Sequence, residues 1–207
     1  MARVLKVDLD GLVEAAAVVA KGGLISYPTD TVYGLGCDPL NSSSVERVLH
    51  VKDGRTKAMP VLVRSLDDAH RIAHVSDQAR RLSQRYWPGP LTIVLPAKRV
   101  VPTNLVPEGT VGLRSPNHAI CLELLGLCSG FLVGTSANVT GKHPATSAEE
   151  VVRELGDRVD IVLDGGSAPL GISSTVVDLT KNRPIILREG PLGRAEILRC
   201  LRERTAR

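Results

Sequence analysis

Short apolar runs alternate with stretches of three-to-four-residue apolar spacing along this 207-residue chain, and that alternation limits the fold more than any other feature. Strands are expected at Val4–Val7, Leu24–Tyr27, Pro60–Val63, Leu91–Leu95, Val111–Arg114, Leu132–Thr135, Ile161–Leu163, Thr175–Leu179 and Ile185–Leu187. Helical spacing falls between most of them, at Leu12–Lys21, Ser44–Val51, Leu66–Ile72, Asp77–Arg85, Ala119–Leu127, Ala148–Leu155 and Arg194–Arg204. Ser147-Ala148-Glu149-Glu150 reads as a capping box opening one of these helices. Strands separated by helices imply an α/β chain. The last strands follow one another without helices, so a mixed sheet is expected rather than a purely parallel one.

The chain is long enough to bury a substantial core, and 43% of its residues are apolar. A single domain is expected, with its core over about 9–190 and a C-terminal helix within 193–207. Lys98–Thr110, polar and punctuated by Pro102, Pro107 and Gly109, is the expected mobile stretch. Lys and Arg number 26 against 22 acids, a mild excess of +4 that suits an anionic small molecule or a weak RNA surface. Five aromatic residues are too few for a base-stacking platform. The cysteines Cys37, Cys121, Cys128 and Cys200 form no C-x-x-C pair, which argues against a zinc or redox motif and for free thiols in a reducing cytoplasm. No apolar run approaches the ~18 residues of a membrane span. A soluble cytoplasmic protein is expected.

The most informative local run is Tyr27–Cys37, Y-P-T-D-T-V-Y-G-L-G-C. Pro28 stiffens the backbone, and a corner at Gly34-Leu35-Gly36 would let the hydroxyls of Thr29, Thr31 and Tyr33 face a ligand. The same residues also fit a plain connection whose Thr and Asp satisfy their own backbone. Lys52, Arg55, Lys57 and Arg64 gather four cations around a Gly turn, either as a solvated face or as a phosphate site. Arg114 and Arg188 each end an apolar run, where an edge-strand arginine in solvent is the common case. Thr135-Ser136-Ala137-Asn138 ends another, as an Asn/Gly turn or a ligand-facing group. Gly141-Lys142 lacks the remainder of a phosphate loop, and Gly34-x-Gly36 lacks the third glycine of a dinucleotide fingerprint. His70 and His74, four apart, lack the glutamate of a zinc peptidase. No metal-ligating set is expected.

Six linked motifs carry a resemblance: Lys52-Asp53-Gly54-Arg55, W-P-G-P-L-T at Trp87–Thr92, T-V-G-L-R at Thr110–Arg114, T-S-A-N-V-T-G at Thr135–Gly141, S-S-T-V-V-D at Ser173–Asp178 and L-R-E-G at Leu187–Gly190. With the Tyr27 run they resemble, in order from about Gly22 to Gly190, the YrdC/TsaC family of threonylcarbamoyl-AMP synthases. The resemblance implies a YrdC-like twisted mixed sheet flanked by helices, with a concave basic cavity. It implies synthesis of L-threonylcarbamoyladenylate and pyrophosphate from L-threonine, bicarbonate and ATP with magnesium, for a partner transferase that modifies tRNA; contact of tRNA with this chain itself would be indirect. Threonine would lie on Thr31, Arg114, Ser136 and Ser174, and ATP on Arg55, Thr110, Asn138, Thr146 and Arg188. Lys52 and Arg55 would stabilise charge, with Thr29, Tyr33 and Lys57 also in the cavity. The family's Lys-x-Arg is Lys-x-x-Arg here, and Met59 and Arg64 stand at usual Asn and His positions. Two-domain members carry a further module beyond the point where this chain stops. Two other readings fit the same residues, a carbamoyl-transfer module and an RNA-binding protein involved in ribosome maturation.

Overall fold

The structure is a computed structural model and describes residues 2–53 and 58–202. In chain order the first half runs β1 (Arg3–Lys6), α1 (Leu9–Ala20), β2 (Ile25–Tyr27), β3 (Gly34–Gly36), α2 (Ser42–Val51), β4 (Val61–Val63), α3 (Leu66–Ile72), α4 (Asp77–Tyr86) and β5 (Leu91–Pro96). The second half runs β6 (Thr110–Arg114), α5 (Ala119–Leu127), β7 (Phe131–Val133), β8 (Thr135–Ser136), α6 (Ala148–Leu155), β9 (Ile161–Asp164), β10 (Thr175–Asp178), β11 (Ile185–Arg188) and α7 (Arg194–Arg202). Short polar caps start the helices. Asp8 accepts from Gly11 N–H, so α1 begins three residues before its apolar spacing does, and Ser65, Ser76 and Ser147 cap α3, α4 and α6 in the same way.

The mixed character read from the sequence is present and is divided between two sheets. One has the order β1-β9-β2-β3-β8, the other β11-β10-β5-β6-β4-β7, and both contain parallel and antiparallel pairs. Helices α1 and α5 cover one face of the first sheet, where Leu12, Ala15, Val19, Cys121, Leu124 and Leu125 pack on Ile25, Tyr27, Ile161 and Leu163. A larger core cluster joins Leu35, Val45 and Val48 to Ile93, Leu113 and Val133. Among the described residues no helix is long and apolar enough to cross a membrane.

Two expectations are corrected here. Gly34-Leu35-Gly36 is not a corner but β3, paired antiparallel with β2, and the chain turns earlier, between Tyr27 and Gly34. The glycines are there for the Tyr27 ring. A Cβ on Gly34 or Gly36 would sit 2.8 Å from that ring, and one on Gly36 would also lie 2.4 Å from the Val133 carbonyl, to which Tyr27 Oη donates at 2.6 Å. Tyr27 thus ties the first sheet to the second. The stretch Lys98–Thr110, expected to be mobile, buries Val101, Leu105 and Val106 in the core, and Asn104 donates to the Ser42 carbonyl.

The two sheets meet where the chain leaves β7 and enters β8. Gly134 makes that crossing, its N–H donating to the Pro60 carbonyl at 2.8 Å, and a Cβ there would lie 2.6 Å from Leu62 Cγ. Close backbone approach at this seam leaves a cleft between the end of β2, the end of β6 and the start of β10.

Candidate active site

The turn after β2 forms one wall of the cleft. Thr29 Oγ1 accepts from the Thr31 N–H at 3.1 Å and donates to the Val32 carbonyl at 2.7 Å, closing the turn with its own hydroxyl. Its oxygen lies 3.0 Å from the Thr31 hydroxyl. Arg114, at the end of β6, reaches this turn from the second sheet. Its Nη1 donates to Thr31 Oγ1 at 2.7 Å, its Nε to the Gly89 carbonyl at 3.1 Å, and its Nη2 to Asp30 Oδ1. Both side chains of this ion pair are 7% exposed. Burial pulls the Arg114 pKa below the ordinary arginine value, and the Asp30 charge opposes the shift. Arginine nonetheless keeps its proton in proteins.

Ser174 and Arg188 build the opposite wall. Arg188 donates through Nε to the Ser174 carbonyl at 2.9 Å and through Nη2 to Ser174 Oγ at 3.2 Å. Ser174 Oγ lies 2.8 Å from Thr92 Oγ1. Gly190 of L-R-E-G allows this approach, since a Cβ there would fall 2.4 Å from the Ser173 carbonyl. Between the walls is a small cavity of about 90 Å³, partly open to solvent, lined by Thr31, Thr92, Arg114, Ser136, Ser174 and Arg188 among others. Two cations and four hydroxyls converge on it. Such a site can orient an anion and hydrogen-bond a polar side chain, but among the described residues it offers no activated nucleophile.

The remaining expected residues divide. Thr29 and Tyr33 also line the cavity, but the Tyr33 hydroxyl donates to the Gly166 carbonyl at 2.7 Å and accepts from the Gly165 N–H, so it holds the loop after β9 rather than facing a ligand as expected. Lys52 is 2% exposed, and its Nζ donates to the carbonyls of Ser136 and Asn138 and to Asn138 Oδ1. Asn138 accepts as well from Ser136 Oγ and donates to the carbonyls of Val139 and Lys142. It is the buried hub of the loop after β8. Thr146 gives its hydroxyl to Glu150, and Thr110 sits at the start of β6, ~13 Å along the strand from Arg114. Neither lines the cavity. Arg55 and Lys57 lie outside the described residues. Met59 is buried in the core and presents no polar group, and Arg64 is exposed.

Two residues were missed in the sequence. Asp30 was readable only as the acid between two threonines, and Thr92 only as the last residue of W-P-G-P-L-T. No group of three His, Cys, Asp or Glu able to hold a metal occurs among the described residues. Burial pushes the Cys37 thiol up to about 12, and raises Cys121 as well, which leaves both unreactive.

A family model for Sua5, YciO and YrdC, described as telomere recombination, matches residues 17–190. The chain belongs to the Sua5/YciO/YrdC family. Within it, the chain is 38% identical over 194 residues to the threonylcarbamoyl-AMP synthase of Pyrococcus abyssi, an alignment covering 91% of this chain and 56% of that protein. It is 38% identical over 195 residues to a putative threonylcarbamoyl-AMP synthase of Mycobacterium tuberculosis, covering 92% and 89%. The crystal structure of P. abyssi Sua5 complexed with L-threonine superposes with a TM-score of 0.92 at 33% identity, covering 97% of this chain and 60% of that one. The chain therefore spans somewhat over half the length of its P. abyssi family relative.

Proposed function

We propose that this chain is an L-threonylcarbamoyladenylate synthase. The observation that carries the reading is the buried Arg114 fork beside four hydroxyls, in a fold that overlays on a family member bound to L-threonine. In this reading the threonine carboxylate lies on Arg114, and its side-chain hydroxyl meets the cluster of Thr31, Ser136 and Ser174. Bicarbonate adds to the amine to give N-carboxythreonine with loss of water. The new carboxylate attacks the α-phosphorus of ATP and pyrophosphate leaves. Arg188 and Arg55 take phosphate charge, Lys52 adds charge stabilisation and holds the loop after β8, and Thr110, Asn138 and Thr146 are further candidates toward ATP.

Magnesium would arrive with ATP and offset phosphate charge, which asks no carboxylate cage of the chain. Catalysis then consists of positioning and charge neutralisation. The product passes to a partner transferase that modifies the adenosine beside the anticodon of certain tRNAs, in the cytoplasm. Pyrophosphate release from the purified chain with ATP, magnesium, bicarbonate and single amino acids tests this. Release should require both threonine and bicarbonate, and valine should be ~100-fold poorer or worse, because it leaves buried hydroxyls unpaired. Equal turnover with valine, or turnover without bicarbonate, would overturn the assignment.

A further inference from the structure

We infer that Asp30 is a positioning residue that holds the Arg114 guanidinium in its ligand-ready orientation before any ligand arrives; this rests on the reading that Arg114 receives the amino-acid carboxylate. Arginine has five N–H groups. In Arg114 one is given to the Gly89 carbonyl, one to Thr31 and one to Asp30. Two remain, one on each terminal nitrogen, enough for the two oxygens of a carboxylate. The anchors therefore fix the fork and leave one donor on each terminal nitrogen for a ligand.

Asp30 is costly where it stands. Its second oxygen, Oδ2, is buried with no hydrogen-bond partner among the described residues, and both members of the pair are almost wholly out of water. A buried ion pair of this kind can often be replaced by apolar side chains with no loss of stability, so stability alone does not explain it. The orphan oxygen needs another reason. The main-chain carbonyl of Asp30 also accepts the Leu170 N–H at 3.1 Å, which fixes the backbone from which the carboxylate projects against the loop leading to Ser174. Its position is thus set by backbone, and it sets that of Arg114. Carboxylate and guanidinium also cancel in charge, so the selectivity of the site comes from the direction of the two remaining donors rather than from net attraction.

The test separates position from charge. Asp30→Asn keeps an acceptor in place and removes the charge; Asp30→Glu keeps the charge and moves it by one methylene; Asp30→Ala removes both. Asp30→Ala and Asp30→Glu should raise the KM for threonine by ~10-fold, the scale of one misdirected hydrogen bond, while the KM for ATP stays within about two-fold. Asp30→Asn should stay within about three-fold of wild type for both. Side-chain ¹⁵N spectra of the ligand-free variants add a readout free of substrate. The Arg114 Nε–H signal should be slow to exchange in wild type and Asp30→Asn, and lost in Asp30→Glu, and in Asp30→Ala if that variant folds. An unchanged threonine KM and a retained Arg114 signal in Asp30→Glu would overturn the inference, as would equal rises in the threonine and ATP KM. Should wild type release no pyrophosphate with threonine, the functional reading fails while the spectra still decide whether Asp30 positions Arg114.

Discussion

The cleft walls and the loop after β8 use the same kinds of side chain to opposite ends. On the walls, Thr31, Ser174, Arg114 and Arg188 bond to one another yet remain on the cavity lining. At the loop, Asn138, Thr146 and the incoming Lys52 from the end of α2 are turned onto the protein itself: Lys52 onto three oxygens of residues 136 and 138, Asn138 onto four partners, Thr146 onto Glu150. A polar motif is thus left on a cavity lining or closed into scaffold according to where its protein partners stand. The two cations show the contrast most clearly. Arg114 is balanced by a carboxylate and keeps two donors to spare, whereas Lys52 bridges the end of α2 to the loop, giving its Nζ to oxygens of Ser136 and Asn138.

The largest effect should come from breaking the charged wall. Arg114→Met leaves Asp30 buried without its counter-ion and should cost about 3–5 kcal/mol in urea denaturation, together with threonine-dependent pyrophosphate release. Adding Asp30→Leu should restore most of the stability and none of the activity. If the single variant is as stable as wild type, the pair is not the anchor described above. Next is the scaffold. Asn138→Ala removes an acceptor from the buried Lys52 ammonium and donors from two carbonyls, and should cost about 1.5–3 kcal/mol, the range for hydrogen bonds to charged groups. Unaltered denaturation of Asn138→Ala would make this residue a ligand contact after all and erase the contrast between the two regions.

Most elements of the fold were legible because their signals are local. Leu66–Ile72, Ala119–Leu127 and Ala148–Leu155 have the bounds read from apolar spacing, since a polar cap fixes each start. β3 was not legible, because Gly34 and Gly36 serve a ring, Tyr27, that reaches them only once β2 and β3 have paired. The site was legible in its residue types and not in its partners. Thr31, Arg114, Ser136, Ser174 and Arg188 do gather at one cavity, from five separate segments. Nothing local distinguishes Asn138 from Ser136, two residues apart, although one lies at the centre of a buried hydrogen-bond network and the other on the cavity lining. That difference depends on where Lys52 arrives, eighty-odd residues away. Asp30 was overlooked for the same reason, its partner being Arg114.

The smallest expected effect tests Thr146 at the edge of the scaffold. Glu150 Oε2 accepts from the Thr146 N–H at 2.7 Å and from its hydroxyl at 3.0 Å, one residue earlier than a capping box would reach, while Ser147 caps α6 from the other side. These bonds, the backbone N–H first, hold the Glu150 carboxyl below the ordinary glutamate value of 4.5, and Glu149 is lowered likewise, first by a backbone N–H and then by the Ser147 hydroxyl. A carboxylate depressed by folding adds stability at pH above its unfolded value, and that stability drains away as pH falls through the lower folded value. Glu150→Gln should therefore match wild type more closely as pH drops below 4.5, and be slightly less stable above it. The margin is small because water competes for an exposed carboxylate. Thr146→Val then divides scaffold from ligand contact: it keeps the N–H bond to Glu150 and loses the hydroxyl. An ATP KM within about two-fold of wild type would leave Thr146 in the scaffold, and a rise of ~10-fold, the cost of one lost hydrogen bond to a charged ligand, would move it to the ATP side.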